Sequence, residues 1–156
     1  MESAMKTLIL SQVSEVELIY KSKVKASARP KINDSKDCHE LLRQLWDDGK
    51  IGMVEQFKVL FLNRANRVVG LLEVSTGGVT GTVADPRIIL VAALKMLAVS
   101  LVLCHNHPSG NLSPSRADEE LTQKIKQAAS FHDIKVLDHI ILNDEGYYSF
   151  ADMGLL

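Results

Sequence analysis

Hydrophobic and polar positions alternate with period two over residues 18–26, setting Lys21, Lys23 and Lys25 opposite Tyr20, Ser22 and Val24. The pattern predicts an edge strand whose lysines discourage edge-to-edge pairing, ended by Arg29-Pro30. Past it the period lengthens. Cys38, Leu41, Leu42, Leu45 and Trp46 fall at the spacing of one buried helix face, predicting a helix from about Ser35 to Asp48 with Gly49 as its stop. The runs 56–62 and 68–74 predict a hairpin around Asn63-Arg64-Ala65-Asn66-Arg67. Residues 75–85 contain three glycines and read as a loop. Asp85-Pro86 is a helix start, the carboxylate as cap and the proline at the first helical position. This helix runs to about Ala98, apolar nearly all round, and is expected to be covered on more than one side.

Residues 100–106 form a short apolar run of strand length, followed by a loop over 107–114. An amphipathic helix is predicted over 115–130, with Leu121, Ile125 and Ala128 on its core face. Two more strands, 134–142 and 147–150, are joined through Asn143-Asp144-Glu145-Gly146. Strands and helices mix along one chain without repeats or a linker, so the fold class is α/β.

Composition narrows the function classes. A chain of 156 residues fits one domain with a sizeable core. Eighteen basic against nineteen acidic residues leave a net charge of -1, which weakens any reading as a phosphate-dominated nucleic-acid binder. The five basic residues between Lys21 and Lys31, with no acid among them, keep a local nucleic-acid contact strip open beside the edge-strand reading. Two cysteines, Cys38 and Cys104, exclude a disulfide framework, a four-cysteine zinc site and a C-x-x-C redox pair. Residues 1–10 lack the pattern of a signal peptide, and the most hydrophobic window, 88–104, is interrupted by Lys95 and Ser100 and short for a membrane span. A cytoplasmic protein with no membrane partner is expected.

The chemistry concentrates in His105-Asn106-His107-Pro108-Ser109-Gly110-Asn111-Leu112-Ser113-Pro114-Ser115-Arg116-Ala117-Asp118. Two histidines at i and i+2 near a strand end face one side, so both imidazoles can reach one ion. The Pro/Gly turn swings the chain back, and Asp118 enters the first turn of the next helix as a third ligand. Two histidines, one carboxylate and a water make the open tetrahedral zinc site of a hydrolase. Ser115-x-x-Asp118 is also a helix capping box, a purely structural alternative.

The phrase resembles the JAMM motif of the MPN (Mov34/JAB) metalloprotease superfamily, Glu … His-x-His-x(10)-Asp with a serine three residues before the aspartate. His-Asn-His-Pro-Ser-Gly followed by Pro-Ser-x-x-Asp is similar to the bacterial RadC branch. So are Glu55-Gln56-Phe57-Lys58-Val59-Leu60-Phe61-Leu62-Asn63, Asp85-Pro86-Arg87, Val136-Leu137-Asp138-His139-Ile140-Ile141 and Gly146-Tyr147-Tyr148-Ser149-Phe150-Ala151. The resemblance covers about residue 30 to the end. It implies an N-terminal strand or extension over 1–30, then one RadC-like MPN/JAB domain over 31–156, a mixed sheet flanked by helices of cytidine-deaminase-like layout. Longer members carry a helix-hairpin-helix-like region ahead of this domain, and a short form without it is expected here.

By the same resemblance, His105, His107 and Asp118 bind one zinc ion. Glu55 is the general base that holds the attacking water and passes its proton to the leaving amine, and Ser115 stabilises the oxyanion. The implied activity is a zinc metallopeptidase or isopeptidase acting on a peptide or protein. The alternative is a RadC-type accessory module of DNA repair that binds nucleic acid with little or no catalysis. A scaffold that has lost catalysis is opposed by the complete set of five residues. His39 fails as a zinc-helix ligand because Arg43 stands where its partner histidine is needed, and it is expected on a helix surface. His132 lies in a turn, whereas His139 is expected to be a satisfied core histidine or a support behind the ligands rather than a fourth ligand. Cys38 and Cys104 are expected to be packed in the core. The absence of Pro-Cys-x-x-Cys disfavours nucleobase deamination.

Overall fold

The computed structural model describes residues 3, 12–14, 16–78 and 83–156. Five strands, β1 (Gln56–Leu62), β2 (Val68–Thr76), β3 (Ser100–Asn106), β4 (Lys135–Leu142) and β5 (Tyr147–Ser149), form one mixed sheet in the order β2-β1-β3-β4-β5. Only the β3–β4 pair is parallel. A parallel pair needs a crossover, and a helix supplies it, as in other βαβ units. The helices are α1 (Ser35–Leu45), α2 (Pro86–Lys95) and α3 (Arg116–Ser130), the last being the crossover.

The sheet separates two apolar clusters. On one face Phe57, Val59, Phe61, Leu101 and Leu103 meet Ile89 and Ala93 of α2 and Ile125 and Ala129 of α3. On the other, Leu60, Leu62, Val102, Cys104, Ile140 and Leu142 meet Cys38 and Leu42 of α1. β1 and β3 are buried along their whole length, which is why both read as continuous apolar runs rather than alternating ones. Lys58 is the exception within β1. Its ammonium lies 4.4 Å above the Trp46 ring and 3.7 Å from Glu73 Oε2, so the charge is partnered where its stem is buried.

The helices differ from the expectations in instructive ways. α1 begins at the Asp34 cap, whose side chain accepts from the Asp37 amide, but ends at Leu45 rather than Asp48. Trp46 turns extended, and that turns its indole into the core beneath Lys58 while Leu45 is left exposed. α2 starts on the Asp85 cap with Pro86 in the first turn, as expected, and stops at Lys95. It is not covered on several sides: Ile89 and Ala93 are buried, whereas Ile88, Val91 and Leu94 face outward. Gly70 lets β2 approach the end of this helix, since a Cβ there would stand 2.5 Å from Met96 Sδ. On α3 the fully buried positions are Thr122, Ile125 and Ala129, with the expected Leu121 partly buried against the same cluster and Ala129 rather than the expected Ala128 in the core. A threonine tolerates that burial because its hydroxyl bonds the Asp118 carbonyl at 2.6 Å.

The strand expected over 18–26 is absent. Residues 16–25 are irregular and Ala26–Ala28 form one 3-10 turn, with Lys21, Lys23 and Lys25 exposed. Leu18 and Ile19 are also exposed, so the alternation has no buried face to serve. Among the described residues, pairing along the outer edge of β2 is limited to the Lys31–Arg67 bridge and its neighbours, with the Tyr20 hydroxyl donating to the Val69 carbonyl. No helix among the described residues is long and apolar enough to cross a membrane.

The one-sided burial of α2 has a measurable consequence. Ile89→Ala should cost about 2–5 kcal/mol of unfolding free energy through transfer loss and cavity formation. Val91→Ala should stay within about 0.5 kcal/mol. Urea unfolding distinguishes this pattern from equal losses at both positions, which would contradict an exposed Val91.

Candidate metal centre

Side-chain alternation at the end of β3 sends His105 to the face covered by α2 and α3, and Asn106 to the opposite face. His107 follows just beyond the strand, held by its amide donating to the Leu142 carbonyl. The loop then turns at Gly110, whose φ of 85° suits a residue without a Cβ. Its course is pinned from two sides, by the Gly110 amide on the His107 carbonyl and by Asn143 Nδ2 donating to the Gly110 carbonyl at 3.0 Å. Ser115 caps α3, and Asp118 arrives in the first turn of that helix.

The structure thereby brings together the three predicted ligands. His105 Nε2 and His107 Nε2 are 2.8 Å apart, and Asp118 places Oδ1 3.3 Å from the first and Oδ2 3.7 Å from the second. One ligand atom from each lies within 4.8 Å of the others. Tetrahedral ligands at about 2.0–2.1 Å from zinc stand roughly 3.3 Å from one another, so the Asp118 spacings come close to what such an ion needs, while the two Nε2 atoms would have to move apart to share it. His107 Nδ1 donates to the Asn111 carbonyl at 2.5 Å, which leaves Nε2 as the nitrogen facing the group. Nitrogen and oxygen donors of this kind fit zinc and other divalent transition ions.

The electrostatics keep Asp118 charged and so available as an anionic ligand. Burial pushes the Asp118 carboxyl up, but the imidazoles of His105 and His107 standing against it outweigh burial and hold the group well below the ordinary carboxylate range. The bond to Asp118 raises His107, with burial opposing and the charge of Glu55 contributing.

The remaining predicted residues are near but differently engaged. Glu55 stands immediately before β1 and outside the three-residue group, half-buried, with its carbonyl accepting from the Gly77 amide at 2.8 Å. Among the described residues no hydrogen bond holds its carboxylate. Ser115 Oγ donates to Asp118 Oδ2 at 2.7 Å and accepts from the Asp118 amide at 3.1 Å, while the Ser115 amide also donates to Oδ2. The capping box is therefore real and includes the candidate ligand itself.

His139 is fully buried behind His105, as expected. Burial pushes its imidazole well below the ordinary histidine range. His39 is only half-buried and stacks on Tyr147 with centroids 4.4 Å apart. His132 is exposed in the turn after α3, and both cysteines are buried, with Cys104 Sγ donating to the Lys58 carbonyl.

A model of the RadC-like JAB domain family matches residues 32–155. The chain belongs to that family. Among relatives of this JAB domain, a UPF0758 protein of Flavobacterium johnsoniae is 44% identical over 127 residues, covering 80% of this chain and 53% of the relative. UPF0758 proteins of Porphyromonas gingivalis and Symbiobacterium thermophilum are 44% and 42% identical, covering 65% and 66% of this chain and 45% and 44% of theirs. The chain spans about half the length of the curated relatives it matches.

Sequence reasoning missed one residue that positions the JAB site. Asn106 Oδ1 accepts from the Gln56 amide at 2.7 Å, and Nδ2 donates to the Ile51 and Val54 carbonyls at 2.7 and 2.8 Å. These bonds grip the backbone on both sides of Glu55, so the residue between the two histidines holds the segment that carries the predicted base. A fully polar side chain facing a core, in an otherwise apolar run, was the available signal. Asn106→Ala leaves one amide and two carbonyls to find other partners and should cost at least about 2 kcal/mol in urea unfolding. Hydrogen exchange should show lost protection at the Gln56 amide, and unchanged protection there would refute the clamp.

Proposed function

We propose that this chain is a zinc-dependent metallohydrolase that cleaves an amide bond of a peptide or protein. The observation that carries the reading is the convergence of His105 Nε2, His107 Nε2 and an Asp118 carboxylate oxygen, with Glu55 close enough to act on His107 by its charge. A bound zinc ion supplies Lewis acidity and makes water nucleophilic near neutral pH.

The protein's own groups account for the rest. Glu55 takes the proton from the attacking water at a carboxylate oxygen and returns it to the amine nitrogen that leaves. Its position ahead of β1 is held by backbone bonds while, among the described residues, none bonds its carboxylate, which suits a group that must exchange partners. Ser115 is the donor available to an oxyanion, but its one hydroxyl proton lies on Asp118 Oδ2. It serves an oxyanion only by exchanging that bond. His105 and His107 orient the site through rings fixed on their far nitrogens, to His139 and to the Asn111 carbonyl.

The purified protein should contain about one zinc per chain by elemental analysis, and His105→Ala or Asp118→Ala should lose it. Glu55→Gln should keep the metal while turnover in a peptide-library screen falls by about 10²–10⁴-fold. Undamaged protein that contains no metal and takes up none on addition of Zn2+ would overturn the hydrolase reading.

A further inference from the structure

Behind the ligand group runs a hydrogen-bonded chain that crosses three elements and ends on the backbone of a ligand. His105 Nδ1 lies 2.8 Å from His139 Nε2, His139 Nδ1 lies 2.6 Å from Thr122 Oγ1, and Thr122 Oγ1 lies 2.6 Å from the Asp118 carbonyl. We propose that Thr122 and His139 are positioning residues that fix His105 with its proton on Nδ1, so that Nε2 offers a lone pair to a metal ion. The proposal rests on the metal reading given above and deepens it.

The direction of the chain follows from its end. A carbonyl only accepts, so the single hydroxyl proton of Thr122 is spent on the Asp118 carbonyl. What Oγ1 then presents to His139 is a lone pair, and His139 Nδ1 must be the donor. The His139 ring is enclosed between Phe57 and Phe150, with centroids 5.5 and 4.7 Å away, surroundings that favour the neutral imidazole. A neutral ring protonated at Nδ1 accepts at Nε2, so His105 Nδ1 donates to it. The lone pair of His105 is left on Nε2, facing His107 and Asp118.

A ligand histidine is ordinarily oriented by a carboxylate or carbonyl, which fixes the direction of the bond by itself. His107 follows that rule, with the Asn111 carbonyl on its Nδ1. His105 does not, because its partner is another imidazole, which can donate or accept at either nitrogen. Something further must settle the direction, and Thr122 does. If the chain ran the other way, His105 would carry its proton on Nε2 and the site would lose a ligand. Thr122 stands four residues after Asp118 on the inner face of α3, so one helix provides both the third ligand and the group that prepares the first.

The test uses the full chain, metal-free and with 15N-labelled histidine, reading tautomers by two-bond 1H–15N correlation. Zn2+ affinity is then measured by competition with a chromophoric chelator. In the wild type His105 and His139 should both carry their neutral proton on Nδ1. Thr122→Val keeps the side-chain shape but frees His139 to move its proton to Nε2. Zn2+ affinity should then fall about 10–100-fold, with Thr122→Ser restoring it. Two results would overturn the proposal: His105 protonated on Nε2 in the wild type, or a folded Thr122→Val protein with wild-type tautomers and affinity, whatever its melting temperature. Wild-type protein that shows the expected tautomers yet binds no Zn2+ would sink the hydrolase reading while supporting the relay.

Discussion

Because β3 is hydrogen-bonded on both edges, antiparallel to β1 and parallel to β4, it cannot slip by one residue without exchanging every side chain between two covered faces. That constraint sorts consecutive residues of one short phrase into different tasks. Cys104 and Asn106 go to the side of α1, the first packed in the core and the second gripping the Ile51–Gln56 backbone. His105 goes to the other side, with His139 behind it and Asp118 before it. The strand thus sets the distance between the segment that carries Glu55 and the ligand group, with no need for Glu55 to touch either histidine.

The polar layer behind His105 costs stability that an apolar core would not. His105, Thr122 and His139 are all buried, and burying such groups is unfavourable unless each donor and acceptor is matched. Here each is matched in sequence, from His105 through His139 and Thr122 to the Asp118 carbonyl. The layer sits between Phe57 and Phe150, so water cannot readily substitute for a missing member. A network of this kind rigidifies a site at the expense of tolerance, which is the exchange expected where ring orientation matters more than total stability.

Most of the sheet and the ligand group was legible in the sequence, and the reasons are physical. The hairpin over β1 and β2 was marked by Asn63 and Asn66, which accept the turn's amides and adopt a positive φ of 55° respectively. The α2 start was marked by Asp85-Pro86, and His105, His107 and Asp118 were marked by a spacing that a strand, a tight turn and a capped helix convert into one cluster. What failed needed tertiary information. Alternation over residues 18–26 looks like a strand, but a strand needs a buried face as well as an edge, and Leu18, Ile19, Tyr20 and Val24 are all exposed. The outer side of α2 carries Ile88, Val91 and Leu94, and composition alone does not tell a covered helix from one open on a side. Asn106 and Thr122 were missed for the opposite reason. Each is a polar residue aimed at a core, visible as such only once the face of its strand or helix is known.

Asp118 is asked to do two things at once, and the geometry shows how they interfere. Its Oδ2 closes the helix cap by accepting from the Ser115 amide and hydroxyl, while Oδ1 faces His105. A carboxylate at a helix N-terminus is favoured by the helix dipole, so capping and charge agree. A metal ion held by this carboxylate would compete with the Ser115 hydroxyl for oxygen lone pairs. Weakening the Ser115 Oγ–Asp118 bond is what would release that hydroxyl toward an oxyanion, whereas the Ser115 amide bond can persist and keep the helix capped. On the proposed hydrolase reading, capping and oxyanion binding by Ser115 would be successive uses of one proton, and they do not exclude one another. The capping box would then be the resting arrangement from which the proposed chemistry departs.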